Sequence, residues 1–168
     1  KLLRHRLVLG MLYGCGLRCF ELRRLHTKDV DFNRLMVHVR KGKGRKDRYL
    51  PLSKHLARGL KTYIDNEHPQ LWLFNGKNAE GRIVALSQRG VQWIVRESRK
   101  TAGLEKEVTA HTLRHTFATH LLEDGLDIVS IKDLLGHAHL ETTLIYLHVS
   151  QMGRRKPFSP MDTLYPDK

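Results

Sequence analysis

Arg18 stands where a glycine turn meets a helix start, with a carboxylate three residues on, in Gly16-Leu17-Arg18-Cys19-Phe20-Glu21-Leu22. A helix N-terminus favours anions, and an arginine there adds a planar fork of donors that matches a phosphate. The same pair also reads as a plain helical ion pair worth roughly 0.2–0.5 kcal/mol. A second cluster runs from Arg40 to Arg48 and places six basic residues in nine: Arg40, Lys41, Lys43, Arg45, Lys46 and Arg48. It lacks the G-x-x-x-x-G-K-[ST] spacing of a nucleotide-binding loop. It reads either as a positive finger for a phosphate backbone or as a solvated turn. A third cluster holds His111, Arg114 and His115, which at about 100° per residue share one arc of a helix. His111 and His115 have the i, i+4 spacing of zinc helices, but the Glu of H-E-x-x-H is missing and Arg114 is a poor neighbour for a cation. In the fourth, His137 follows Gly136, and Tyr146 lies nine positions later. His137 suits a helix C-terminus, and Tyr146 could be a packed aromatic. Taken singly, the ordinary structural reading is the simpler one for the first, third and fourth clusters, and the basic hairpin reads equally either way.

The elements that must position these groups follow from periodicity and punctuation. Leu3, Leu7, Val8, Met11 and Leu12 predict an amphipathic helix over 2–13, stopped by Gly14 and Gly16, and a short helix follows from Arg18 to Leu25. Residues 35–40 and 48–52 read as two strands joined by a glycine-containing hairpin over 41–47, with Pro51 marking the second as an edge. Residues 71–74 are expected to supply a third short strand. Ser53, Ser87, Thr109 and Asp127 are expected to cap four further helices, and Gly103, Gly125 and Gly136 to stop the last three. Tyr146 falls on a final helix over about 140–149. The tail from Gly153 contains Pro157, Pro160 and Pro166 and cannot be one regular helix. The expected class is α+β, mainly α-helical with a small antiparallel three-stranded sheet.

Bulk composition narrows the partner. Thirty Lys+Arg against 17 Asp+Glu give a net charge of +13, with a pI near 10.1. Such an excess favours a polyanion, most commonly nucleic acid. At 168 residues the chain can bury a core without disulfide staples. Its two cysteines, Cys15 and Cys19, suggest a reducing compartment. No apolar run reaches the roughly 18 residues of a membrane span. The first residue is Lys1 rather than Met, so a fragment is expected.

The clusters gain meaning from their order: Arg18, Lys43, His111, Arg114, His137, Tyr146. This order, and the local patterns Gly-Leu-Arg18-x-x-Glu21-Leu, Gly42-Lys43-Gly-x-Lys-x-Arg48, His111-x-Leu-Arg114-His-Thr-Phe-Ala-Thr-His-Leu-Leu, Leu-Leu-Gly-His137 and Thr142-Thr143-x-x-Tyr146-x-His148, resemble the tyrosine recombinase (phage integrase) family. The likeness runs from Leu3 to about Val149, with no departure at the six positions. Its flavour is that of Xer-like and of integron- or transposon-type integrases. The resemblance implies the fold of that family's catalytic domain over 1–152, a C-terminal tail over 153–168, and an N-terminal core-binding domain absent from this chain. It also implies double-stranded DNA as substrate, a tetramer on DNA, a bacterial cytoplasmic, nucleoid-associated setting, and a role in integration or transposition.

The same resemblance assigns roles. Arg18 and Arg114 would grip the non-bridging oxygens of a phosphodiester, and Glu21 would orient Arg18 or a neighbour. Tyr146 would be the nucleophile and His111 the acid/base partner. His137 would donate a hydrogen bond to the phosphate, and Lys43 would protonate the leaving 5′ oxygen. The product would be a 3′-phosphotyrosine, formed without metal or ATP cofactors. Arg40, Lys41, Arg45, Lys46 and Arg48 are expected backbone contacts. Three rivals remain at this stage: a type IB topoisomerase using a similar set, a catalytically inactive DNA-binding module, and a zinc domain built on His111 and His115.

Overall fold

The computed structural model describes residues 2–40, 47–137 and 139–149, the last three of these by their backbone alone. Helix α1 (Leu2–Gly14) lies at the centre. It buries Leu7, Val8, Met11 and Leu12, a stripe at three- and four-residue spacing that packs against three other helices. These are α3 (Lys54–Glu67), α4 (Gln88–Thr101) and α5 (Ala110–Glu123). Between α1 and α3 come α2 (Cys19–Arg23), a 3₁₀ turn (Thr27–Asp29) and three strands: β1 (Val30–Asp31), β2 (Met36–Val39) and β3 (Arg48–Pro51). A second small ribbon, β4 (Asn75–Lys77) with β5 (Ile83–Ala85), precedes α4. The chain then closes with α5, α6 (Ile128–Leu135) and α7 (Glu141–Val149).

The capping residues act as their types dictate. Ser53, Ser87 and Thr109 each accept a backbone N–H of the first turn, and Asp127 accepts two, from Val129 and Ser130. Gly103, Gly125 and Gly136 adopt positive φ where their helices end.

The three-stranded sheet is antiparallel in the order β1-β2-β3, as expected in kind but not in membership. The third strand is Val30–Asp31, paired with Val37 and Met36, and not residues 71–74. That stretch contributes only an isolated bridge from Trp72 to His26, because Leu73 and Phe74 are drawn into the core. In β2 and β3, Val37, Val39 and Leu50 face inward. Arg48, two residues before Leu50, faces inward with them.

A first core cluster joins α1, the sheet, α3 and α4. A second, smaller one gathers Phe117, Ala118, Leu122, Ile131, Leu135 and Tyr146 from α5, α6 and α7. Cys15 and Cys19 are free thiols. Among the described residues, no helix is long and apolar enough to cross a membrane.

Candidate active site

The site grows around the C-terminal end of α6. Gly136 ends that helix in the left-handed conformation, φ 63° and ψ 46°, which leaves the last carbonyls without intrahelical partners. Three guanidiniums take them. Arg48 Nε donates to Leu134 O at 2.7 Å. Arg114 Nη2 donates to Leu135 O at 2.6 Å. Arg18 Nη1 donates to the same Leu135 O at 3.1 Å and its Nη2 to Gly136 O at 3.4 Å. The negative end of the helix dipole thus receives three cations.

Glu21 is the counter-charge. Its carboxylate accepts both Nη groups of Arg48 at 2.8 Å, Arg18 Nη1 at 3.0 Å and the Arg18 backbone N–H at 2.8 Å. Arg114 Nη1 stands 3.8 Å away. Burial pushes the Glu21 carboxyl up, but hydrogen bonds and charge from Arg48 and Arg18 outweigh it and hold the group at about 2. One carboxylate and three carbonyls therefore pack three guanidiniums side by side, and the cluster keeps a positive excess.

The two arginines carried by α2 and α5 are not equivalent. The Arg18 side chain is 36% exposed and that of Arg114 only 4%. Arg18 spends three N–H groups on protein oxygens, so two of its five donors remain without a partner among the described residues. Arg114 is fixed from below. Its Nη1 donates to Gly16 O, and burial and the neighbouring Arg18 draw its pKa down to about 10, still a cation at neutral pH. Gly16 is required there twice over: its φ is +58°, and a Cβ would collide with the Phe117 ring.

His137, half-buried, directly follows Gly136. Burial and the charges of Arg114, Arg18 and Arg48 push its pKa down to about 4, so the imidazole is neutral at pH 7. Its Nδ1 lies 3.0 Å from Thr143 Oγ1. Tyr146 is 2% exposed and packs against the His115 ring, centroids 4.8 Å apart. Burial raises the Tyr146 phenol above its usual range, and the charges of Arg114 and Arg18 offset this only in part. His111 sits in the first turn of α5, exposed, one turn before Arg114. Among the described residues, no three His, Cys, Asp or Glu side chains gather where they could hold a metal ion.

Of the residues singled out in the sequence, Arg18, Glu21, Arg114 and His137 converge directly, Tyr146 adjoins them, and His111 stands at the rim. Lys41, Lys43, Arg45 and Lys46 lie outside the described residues. One expectation changes. Arg48 is not a surface contact for DNA backbone: it is 8% exposed and spent on Glu21 and Leu134 O. Its signal was the period-two pattern, since Arg48, Leu50 and Leu52 share one face. Arg40 is half-exposed and pairs with the buried Asp29. Thr143 carried no role in the sequence reading, although it sits three residues from Tyr146, on the same helical face, and is fully buried.

A family model described as the phage integrase family matches residues 1–152. Among curated proteins, the chain is 43% identical over 153 residues to the tyrosine recombinase XerA of Thermococcus kodakarensis, covering 91% of this chain and 54% of that one. It is 40% identical over 164 residues to a tyrosine recombinase XerD of Staphylococcus epidermidis, covering 93% and 54%. The chain spans about half the length of the curated relatives it matches. Among solved structures, a XerA recombinase superposes with a TM-score of 0.80 at 33% identity, over 99% of this chain and 59% of that one. A XerH site-specific recombinase, captured with palindromic difH substrate in a post-cleavage complex, superposes at 0.75 with 32% identity, over 89% and 43%.

Proposed function

Because this chain belongs to the phage integrase family, we propose that it is the catalytic domain of a site-specific recombinase, cutting and rejoining DNA through a tyrosyl-phosphate ester. The observation that carries this reading is the shared Leu135 carbonyl. It brings the Arg18 and Arg114 guanidiniums to one spot, and Tyr146 packs in the same core cluster as the Leu135 side chain.

A phosphodiester entering beside Arg18 meets its free N–H groups and the charge of Arg114 behind them. Both are cations at neutral pH and are already oriented by carbonyls and Glu21, so little reorganisation remains when charge develops on the non-bridging oxygens. Neutral His137 adds one N–H donor without protonation. The Tyr146 oxygen attacks phosphorus, a new O–P bond forms, and the bond to the 5′ oxygen breaks. His111 accepts the phenol proton, and Lys43 supplies a proton to the departing oxygen. A free tyrosine has a pKa of about 10 and is ionised only about one part in a thousand at pH 7, a handicap of about 4 kcal/mol. In the DNA-free chain burial keeps the phenol raised and the guanidiniums oppose it only in part, so a base is needed to take the proton. The products are a 3′-phosphotyrosine and a 5′-hydroxyl. The ester conserves the phosphoryl linkage, so a second strand's 5′-hydroxyl reverses the step without ATP.

DNA as substrate agrees with the net charge of +13, and a nucleoid location follows from that reading. Assembly of four copies on two duplexes, and a role in integration or transposition, extend the reading to the whole recombinase. The test is a duplex nicked near the cleavage point, whose short 5′ fragment diffuses away after cutting. The wild-type chain accumulates a covalent adduct, and Tyr146→Phe binds the duplex but forms none. An adduct at undiminished yield in Tyr146→Phe removes Tyr146 as nucleophile.

A further inference from the structure

His137 is neutral and flanked by guanidiniums, so its usefulness depends on which ring nitrogen holds the proton. Only one of its nitrogens has a partner among the described residues: Nδ1, 3.0 Å from Thr143 Oγ1. The Thr143 side chain is wholly buried on α7, one turn before Tyr146, and its hydroxyl has no other hydrogen bond among the described residues. A neutral imidazole carries one N–H and one lone pair. If Nδ1 held the proton, Nε2 would aim a lone pair at the anion that Arg18 and Arg114 are set to bind. If Nδ1 holds the lone pair, Thr143 O–H donates to it and Nε2–H is left as a donor.

We propose that Thr143 is a positioning residue that fixes His137 in the Nε2–H tautomer, so that the ring presents a donor to the scissile phosphate. The inference rests on the recombinase reading for the identity of the anion. The tautomer itself is a property of the DNA-free chain. Placing the donor to Nδ1 on α7 also ties the imidazole to the helix that carries the nucleophile. A shift of that helix moves both the attacking oxygen and the hydrogen bond that orients His137.

The experiment is nitrogen NMR of the imidazole rings in the full chain at pH 7, with His137 assigned by the resonance lost in His137→Gln. Wild type is expected to show His137 as the Nε2–H form. Thr143→Val keeps the volume and removes the hydroxyl, and it should turn His137 into a mixture of tautomers. Thr143→Ser should restore the single form. On the nicked duplex, Thr143→Val should cleave about three- to tenfold more slowly with unchanged DNA affinity, the range expected for one neutral hydrogen bond, and Thr143→Ser should recover the rate. A wild-type His137 protonated at Nδ1 overturns the proposal even if Thr143→Val fails to fold. So does a Thr143→Val chain with unaltered tautomer and rate. If the tautomer follows Thr143 as described while no variant or wild-type chain forms a covalent adduct, the tautomer assignment stands and the recombinase reading falls.

Discussion

At the residue scale, Glu21 is the keystone because it is the one carboxylate shared by three cations. Replacing it with Gln leaves Arg48 and Arg114 buried without the carboxylate that compensates them. Breaking a buried pair in this way costs about 3–5 kcal/mol, so Glu21→Gln should lower the urea midpoint sharply and abolish strand cleavage. Acid has the same target. Between pH 4.5 and about 2 the unfolded chain protonates a carboxylate that the folded chain keeps ionised, so Glu21's contribution is lost as pH falls through that range. His137 acts earlier and in the same direction. The unfolded imidazole takes up a proton below pH 6.5, while the folded one resists until about pH 4. Stability therefore falls as pH drops across that window. Urea melts from pH 7 to pH 4 should show the fall, and His137→Gln should make it shallower. An equal slope in the variant would mean that burial and the guanidiniums do not hold His137 neutral in the folded chain.

At the element scale, the site is made by helix ends. Gly136 exposes the α6 carbonyls, Gly16 lets the chain turn beneath Phe117, and Thr109 starts α5 so that Arg114 points inward. Gly16→Ala meets both a positive φ and the Phe117 ring, whereas Gly125→Ala meets the φ alone, with nothing within 4 Å. The backbone penalty is about 1–2 kcal/mol in both. Gly16→Ala should therefore destabilise more than Gly125→Ala and should also slow cleavage, because Gly16 O anchors Arg114. The caps at Ser53, Ser87, Thr109 and Asp127 and the glycine stops were legible in the sequence, because each depends on a local side-chain or backbone preference. The pairing of β1 was not, since two residues carry no period. The ribbon of β4 and β5 was likewise hidden, its strands too short to show alternation around the turn from Asn78 to Gly81. Arg48 was misplaced for a different reason. A charge-dense hairpin argues for the surface, and the buried, alternating face of β3 outweighed it only because Glu21 waits inside. Thr143 was quoted within a motif but its partner, six residues earlier, is reached only through the turn between α6 and α7.

At the scale of the molecule, the positive excess divides into two kinds. Arg48 and Arg114 are committed to the interior of the site, whereas Arg18 and Arg40 are partly exposed and carry their charge to solvent. Binding to a duplex should weaken with salt, log affinity falling with a slope of about −0.9 per phosphate neutralised. Arg40→Ala should flatten that slope by about one contact and also lower stability, because it strips the buried Asp29 carboxylate of its cation. Arg48→Ala should leave the slope alone and lower stability by about 3 kcal/mol or more. If both variants behaved alike, the division between interior and surface charge would be wrong.

The chain has five tyrosines, and among the described residues only Tyr146 packs in the core cluster that holds Leu135. Peptide mass spectrometry of the adduct trapped on a nicked duplex reads the attachment point directly. The expected result is a 3′-phosphonucleotide on the peptide containing Tyr146. A nucleotide found instead on Tyr13, Tyr49, Tyr63 or Tyr165 would contradict the arrangement of phenol and arginines described above.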